Sequence, residues 1–199
     1  MSTASQMAQN KHKTNFLNLF DGKTLNGWKM AGKGNFNVFH KENALQSEGG
    51  MGLLWYYKRK FKDFILELEW KASSKEDNSG IFIRFPNPRN DPYIAINNGY
   101  EIQIDDLARP NGKLIHGTGA IYNFAAPSTI NSNPVGEWNR LKIAANKHNY
   151  SVLTNDVKVV SNFVGNSLLE GYIGLQNHDD KSKVSFRNIK VKEVFEIKS

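Results

Sequence analysis

The sequence predicts an all-β fold, a two-sheet antiparallel sandwich, on three observations. Apolar and polar residues alternate in short runs, turn-forming residues punctuate those runs, and no stretch keeps apolar residues at i, i+3, i+4 and i+7 over three helical turns. The length of 199 residues suits one such domain, expected over 15–199 behind a polar, flexible leader at 1–14. Hydrophobic residues make up 39% of the chain, with 12 Phe, 7 Tyr and 4 Trp, which is enough apolar mass for a packed interior.

The elements follow in order. In FILELEW (64–70), Phe64, Leu66, Leu68 and Trp70 share one face, and Ile65, Glu67 and Glu69 the other. Gly80 opens IFIRF, where Ile81, Ile83 and Phe85 oppose Phe82 and Arg84. In NNGYEIQIDD (97–106), Tyr100, Ile102 and Ile104 form an apolar row against Glu101, Gln103 and Asp105. RLKIAA (140–145) alternates, and SVLTN (151–155) and VKVVSNF (157–163) flank a turn at Asn155–Asp156, so they read as a hairpin. YIGLQNH (172–178) sets Ile173 and Leu175 against Gly174, Gln176 and His178. In VSFRNIKVKEV (184–194) the apolar parity changes between Phe186 and Ile189, which a bulge near Asn188 would restore. A short helical turn is expected around 165–170. The segments 86–98 and 123–137 hold five of the six prolines and are long enough to be candidate walls of a site.

Composition removes several functions. Without cysteine there are no disulfides, thiolate metal sites or thiol nucleophiles. No apolar run reaches the ~20 residues of a spanning helix, and the start lacks the apolar core of a secretion signal. The expectation is a soluble protein without membrane insertion, either cytoplasmic or periplasmic or secreted with its leader removed. The net charge is +7, but the 26 basic residues are scattered, with YYKRKFK (56–62) the densest group, so no nucleic-acid partner is expected.

If each apolar row faces a second sheet, the opposite rows display Phe82 and Arg84, Glu101, Gln103 and Asp105, and Gln176 and His178. A guanidinium, two carboxylates, two amides, an imidazole and a ring are what a polyhydroxylated ligand demands, so a carbohydrate is the expected partner. The plain alternative is a solvated sheet face, which Glu67 and Glu69 exemplify. His40 and His148 read as turn residues. His116, in KLIHGTGAIYN, precedes two glycines that allow close backbone approach to a ligand.

Glu101 and Asp105 stand about 13 Å apart on an extended strand at ~3.3 Å per residue. Two-carboxylate glycosidases need about 5–5.5 Å or about 6.5–9.5 Å, which disfavours this pair. Glu101 or Asp105 with His178 remains open as an acid/base couple, and the same groups offer a divalent metal one imidazole and oxygen ligands.

FLNLFDGKTLNGW (16–28), NSGIFIR (78–84), GYEIQIDD (99–106), HGTGAIYN (116–123), GEWNRLKI (136–143), GYIGLQNH (171–178) and VSFRNIKV (184–191) together resemble the 3-keto-disaccharide hydrolases, once a domain of unknown function. The resemblance spans about 16–194. This chain departs from it in reading LIHGTGAIY where relatives often carry a His- or Lys-richer stretch before GALY. It implies a concanavalin-like, laminin-G-like jelly roll with a ligand groove on the concave sheet. It implies action on glycosides oxidised at C3, in some members with a divalent metal. In that setting Glu101 or His178 is expected as the base that takes the C2 proton ahead of β-elimination. Arg84, or a metal near Asp105 and His178, is expected at the oxyanion. Gln103 and Gln176 are expected to orient hydroxyls, Phe82 or Tyr122 to stack on the sugar, and His116 to contribute to binding. The alternatives are a non-catalytic carbohydrate-binding module and an endohydrolase of unoxidised glycans on the same fold.

Overall fold

Thirteen strands and one α-helix form among residues 15–194, the part of the chain that the computed structural model describes. The expected leader at 1–14 lies outside these residues. The first five strands are β1 (Leu17–Asn18), β2 (Trp28–Gly32), β3 (Asn35–Phe39), β4 (Ala44–Glu48) and β5 (Gly52–Tyr56). The middle of the chain forms β6 (Phe64–Ala72), β7 (Ser79–Phe85), α1 (Tyr93–Asn98) and β8 (Tyr100–Ile104). The last five are β9 (Asn139–Asn146), β10 (Asn149–Thr154), β11 (Val157–Val164), β12 (Tyr172–Asn177) and β13 (Val184–Glu193).

The strands pair antiparallel throughout. One sheet runs β11-β10-β9-β6-β13-β4-β3 with β1 added against β13, and the other runs β2-β5-β12-β7-β8. This is the expected two-sheet sandwich. Its core joins the inward rows of both sheets: Phe64, Leu66, Leu68 and Trp70 of β6, Leu141 and Ile143 of β9, Tyr100, Ile102 and Ile104 of β8, and Ile173 and Leu175 of β12. Burying such rows is the main stabilising term, at roughly 25 cal/mol per Å² of apolar surface removed from water.

Local irregularities fall where the sequence changes phase. The register of β13 against β6 shifts between Arg187 and Lys190, with Asn188 at φ 54°, so Phe186 and Ile189 both reach the core as the bulge reading requires. Asn155 and Asp156 take φ 48° and 66°, the left-handed pair of a tight hairpin turn, and Thr154 pairs with Val157 across it.

One irregularity went unread and corrects two expectations. Tyr172 pairs with Phe85 and Ile173 with Ile83, which leaves Arg84 as an extra residue with φ 61°. The bulge reverses the alternation of β7 at its end. Phe85 turns outward, away from Ile81 and Ile83, and Arg84 turns inward instead of joining the polar row. The Arg84 guanidinium is fully buried, with Nη1 donating to Phe61 O (3.5 Å) and Nη2 to Asp63 Oδ1 (3.5 Å) and Lys147 O (3.4 Å). It also lies 5.6 Å from the Phe64 ring and 5.9 Å from that of Tyr150.

Helix α1 occupies the proline-rich 86–98 segment, whereas 165–170 forms no helix. Six residues are too few to show a helical period in sequence. Asp91 Oδ1 accepts the Tyr93 amide (2.9 Å) at its start, and Ala95 is its buried contact. Ala95 closes a second, smaller apolar cluster on the outward face of the five-stranded sheet with Ala31, Leu53, Trp55, Phe82 and Phe85. Phe82 is therefore packed beneath α1 at 2% exposure, and the expectation that its ring stacks on a ligand is corrected.

Because Arg84 carries a buried charge beside Asp63, Arg84→Ala should lower the unfolding free energy by about 3 kcal/mol in urea titration. A loss under about 1 kcal/mol, as for a surface pair, would mean that the interior position of Arg84 is wrong.

Candidate functional site

The period of two on β8 places Glu101 and Gln103 on the outward face because Tyr100, Ile102 and Ile104 occupy the core. The Tyr100 hydroxyl fixes this phase further by accepting the Asn166 (2.7 Å) and Ser167 (2.9 Å) amides. Gln176 of β12 and Asn78, just before β7, share the outward face, and His178 follows at the end of β12. These side chains form the floor of a cleft of about 580 Å³ with Glu101 and Gln103. Arg109 and Tyr122, from the loop after β8, line it as well.

Gly80 makes room for the central carboxylate. A Cβ at Gly80 would stand 2.2 Å from Glu101 Oε1 and 2.7 Å from Glu101 Cγ, so any larger residue would displace the Glu101 side chain. Glu101 is half-buried, with its open side on the cleft. Burial pushes its carboxyl up to about 8, against a weaker opposing pull from the Gln176 side chain. Gln103, with its amide turned so that nitrogen faces acceptors, donates to Ser79 O (3.0 Å) and Glu101 Oε1 (3.3 Å). Gln176 Oε1 is buried and has no protein partner. An acceptor left in this way costs stability unless a ligand or water supplies a donor.

Asp105 does not extend the row. Its side chain is fully buried and turned to its own loop, where both oxygens receive Arg109, from Nε (3.1 Å) and from Nη2 (3.2 Å). Asp105 also accepts the Leu107 and Arg109 amides, both at 3.0 Å. This carboxylate builds the loop and orients Arg109 rather than facing the cleft. Arg109 is the cation that the cleft has in place of Arg84, and Nη2 donates further to Glu76 O (2.9 Å). Its signal in the sequence was the spacing of four from Asp105, which suits a charge pair across a turn. Tyr93 and Ile96, from the 86–98 segment expected as a wall, line the cleft as well, and so do Asn78, Met51 and Pro110, which were not expected there.

Tyr122 lines the cleft as expected. Burial and the nearby Glu101 and Asp105 charges raise its phenol, which keeps it a hydrogen-bond donor at neutral pH. His116 is placed one layer back, with its ring 5.0 Å from that of Tyr122 and its nitrogens against Asn111 Oδ1 (3.1 Å) and Asn123 Oδ1 (2.9 Å). His178 lines the cleft at its solvent edge, where Nδ1 meets Asp179 Oδ2 at 2.9 Å. Burial would raise the Asp179 carboxyl, but His178 and the Ser182 and Lys181 amides outweigh it and bring the group to about 2.

The donor set does not suit a protein-held metal. Both Asp105 oxygens are taken, one His178 nitrogen is engaged, and among the described residues no three His, Cys, Asp or Glu side chains gather as metal ligands. The 123–137 segment, expected as a wall, instead braces the β9–β10 end, with Asn131 donating to Thr154 O (3.0 Å) and Asn155 to Asn131 O (2.7 Å). On the eight-stranded sheet, a concavity of about 480 Å³ is lined by charges that pair, Glu67 with Lys142 (2.8 Å) and Lys190 (3.2 Å).

Residues 15–192 match the family described as the 3-keto-alpha-glucoside-1,2-lyase-like domain. The chain belongs to that family. A 3-keto-disaccharide hydrolase of Bacteroides thetaiotaomicron is 28% identical across 89% of this chain and 78% of its own length. Among solved structures, a proposed glycosyl hydrolase of Parabacteroides distasonis superposes with a TM-score of 0.75 at 23% identity, covering 98% of this chain and 99% of that one. A carbohydrate binding module of Bacillus subtilis does so with a TM-score of 0.61 at 16% identity, covering 84% and 96%. These two likenesses concern the fold, which this chain shares with both.

The raised Glu101 carboxyl ties stability to pH. Between about 4.5 and about 8 the folded chain keeps the Glu101 proton that the unfolded chain has released, so this group lowers stability as pH rises through that window. Glu101→Gln is therefore expected to raise the melting temperature at pH 8 and to leave it nearly unchanged at pH 4.5. A melting-temperature difference of the same size at both values would remove the buried carboxyl as its cause.

Proposed function

We propose that this protein cleaves the glycosidic bond of 3-keto glycosides by removing the C2 proton. Membership of the lyase-like family and the name of the Bacteroides relative support the substrate class. The observation that carries the chemistry is Glu101, a carboxyl raised to about 8 on the floor of the cleft beside an unpartnered Gln176 acceptor.

A ketone at C3 acidifies the C2 hydrogen. Glu101 in its ionised form takes that proton, and the C2–H electron pair moves into the C2–C3 bond as the ketone becomes an enolate. The enolate collapses, a C1–C2 double bond forms, and the C1–O bond breaks with its electrons leaving on the aglycone oxygen, which gains a proton. Water then adds at C1 while a proton returns to C2, so the sum is hydrolysis. A carboxylate with a pKa of about 8 is a far stronger base than an ordinary one and is still ionised in part at neutral pH, which suits this step. Arg109, held by Asp105, supplies positive charge to the cleft for the developing enolate oxygen. The Gln176 Oε1 accepts a sugar hydroxyl, and Tyr122 offers its ring and hydroxyl.

The endohydrolase alternative lacks a second carboxylate, since Glu101 is the acidic side chain lining the cleft among the described residues and Asp105 is engaged with Arg109.

Incubation with a 3-keto disaccharide and chromatography of the products should show release of the unoxidised sugar, with kcat/KM rising through about pH 8 as Glu101 ionises. Glu101→Gln should lower kcat at least ~100-fold. Saturable sugar binding without product would instead favour the binding-module reading. Gly80→Ala should preserve the fold, because every displaced atom belongs to the rotatable Glu101 side chain and none to the backbone, yet reduce kcat by about 10-fold or more through the shifted base. Wild-type turnover in that variant would place the base elsewhere.

A further inference from the structure

The two sides of the cleft differ in chemistry. Its floor and the loop after β8 bring Asn78, Glu101, Gln103, Gln176, Arg109 and Tyr122. The side formed by α1 and the turn before β5 brings Tyr93, Ile96 and Met51. Tyr93 is 56% and Ile96 39% exposed, so a six-residue helix offers two large apolar side chains to solvent directly beside a polar floor. Single exposed apolar residues are ordinary, but a set that continues a binding cleft marks a contact surface.

That side is also held in place. Ala95 is fully buried in the outward cluster between the two exposed positions, and the Gly32 amide donates to Asn90 Oδ1 (3.3 Å) just ahead of the helix. A Cβ at Gly32 would stand 3.0 Å from Pro92 Cγ, so the segment entering α1 packs closely on β2. Tyr93 and Ile96 therefore project from a fixed base, which lowers the ordering cost of a ligand that lies on them.

We propose that Tyr93, Ile96 and Met51 form an aglycone subsite for a flat apolar group, so that the preferred substrates are 3-keto glycosides of phenols rather than of a second sugar. This rests on the keto-glycoside reading of the same cleft. A second sugar ring would carry several hydroxyls to this side, where the Tyr93 hydroxyl is the polar side-chain group among the three residues. An aromatic ring instead buries both faces against the tyrosine, isoleucine and methionine, with edge-to-face or stacked contact to Tyr93. A cleft of about 580 Å³ lies within the usual range for ligands larger than one sugar ring. The leaving step agrees with this assignment. A phenol ionises near pH 10, far more readily than a sugar hydroxyl, so a phenolate leaves C1 with little help from an acid.

Two experiments test the subsite. The kcat/KM for the 3-keto derivative of a phenyl glucoside should exceed that for a 3-keto disaccharide by at least ~10-fold in the wild-type protein, and Tyr93→Ser/Ile96→Ser should raise KM for the phenyl substrate by ~10-fold while leaving KM for the disaccharide and the leaving-group advantage in kcat nearly unchanged. Calorimetric titration should show unoxidised phenyl glucoside binding more tightly than methyl glucoside, and the double variant, confirmed as folded by circular dichroism, should lose that difference. A disaccharide preferred by the wild-type protein, or a phenyl-substrate KM and phenyl glucoside affinity unchanged by the double substitution, overturns the proposal. If neither keto substrate is consumed but phenyl glucoside binding depends on Tyr93 and Ile96, the subsite stands and the keto-glycoside reading falls. Consumption of both keto substrates with equal binding of the two glucosides gives the reverse.

Discussion

The phase of β8 is the constraint on which the rest of the site depends. Tyr100, Ile102 and Ile104 are each almost wholly buried, and the Tyr100 hydroxyl is tied to the backbone at Asn166 and Ser167. A slip of one residue would drive three large apolar side chains into water and a carboxylate into the core. Glu101 and Gln103 are therefore held on the outward face first by their neighbours' hydrophobicity, to which the Gln103 hydrogen bonds are added. The cost of keeping Glu101 in a poorly hydrated position is borne by that same packing.

The sandwich was legible because strand alternation survives in most of the chain: β6, β8, β9 and β12 read as they fold. The bulge at Asn188 was legible as well, since two apolar pairs of opposite parity cannot both be buried without it. The bulge at Arg84 was not, because its signature is one charged residue and one aromatic whose roles exchange, and IFIRF alternates without a visible fault. An arginine facing a partly exposed aspartate and two carbonyls is a tertiary fact with no local pattern. Glu101, Gln103, Gln176 and His178 were found by parity alone. Arg109 was not, because a loop has no period to read, and Tyr93 and Ile96 were signalled only as part of the long, proline-rich 86–98 segment.

Helix α1 gives the outward face of the five-stranded sheet two different surfaces. Over the middle of the sheet it closes an apolar cluster with Phe82 and Trp55, so that part behaves as interior. At its margin the sheet stays open and polar, and Tyr93 and Ile96 border that opening. A ring that the sequence would offer to a ligand, Phe82, is used to seat the helix, and the helix in turn supplies another ring. The substitution shows why apolar residues on a polar strand row are weak evidence for ligand contact: any cover over the sheet needs an anchor beneath it.

The pairing of Asp105 with Arg109 has an electrostatic consequence. With Asp105 matched to Arg109 and Glu101 holding its proton over most of the neutral range, the charge left at the cleft edge is that of the Asp179 carboxylate beside His178, although the chain as a whole carries +7. The surplus of cations lies on other surfaces. A sugar without charge of its own gains no long-range steering from that carboxylate, so its encounter rate is governed by diffusion and shape, indifferent to the ionic strength of the medium.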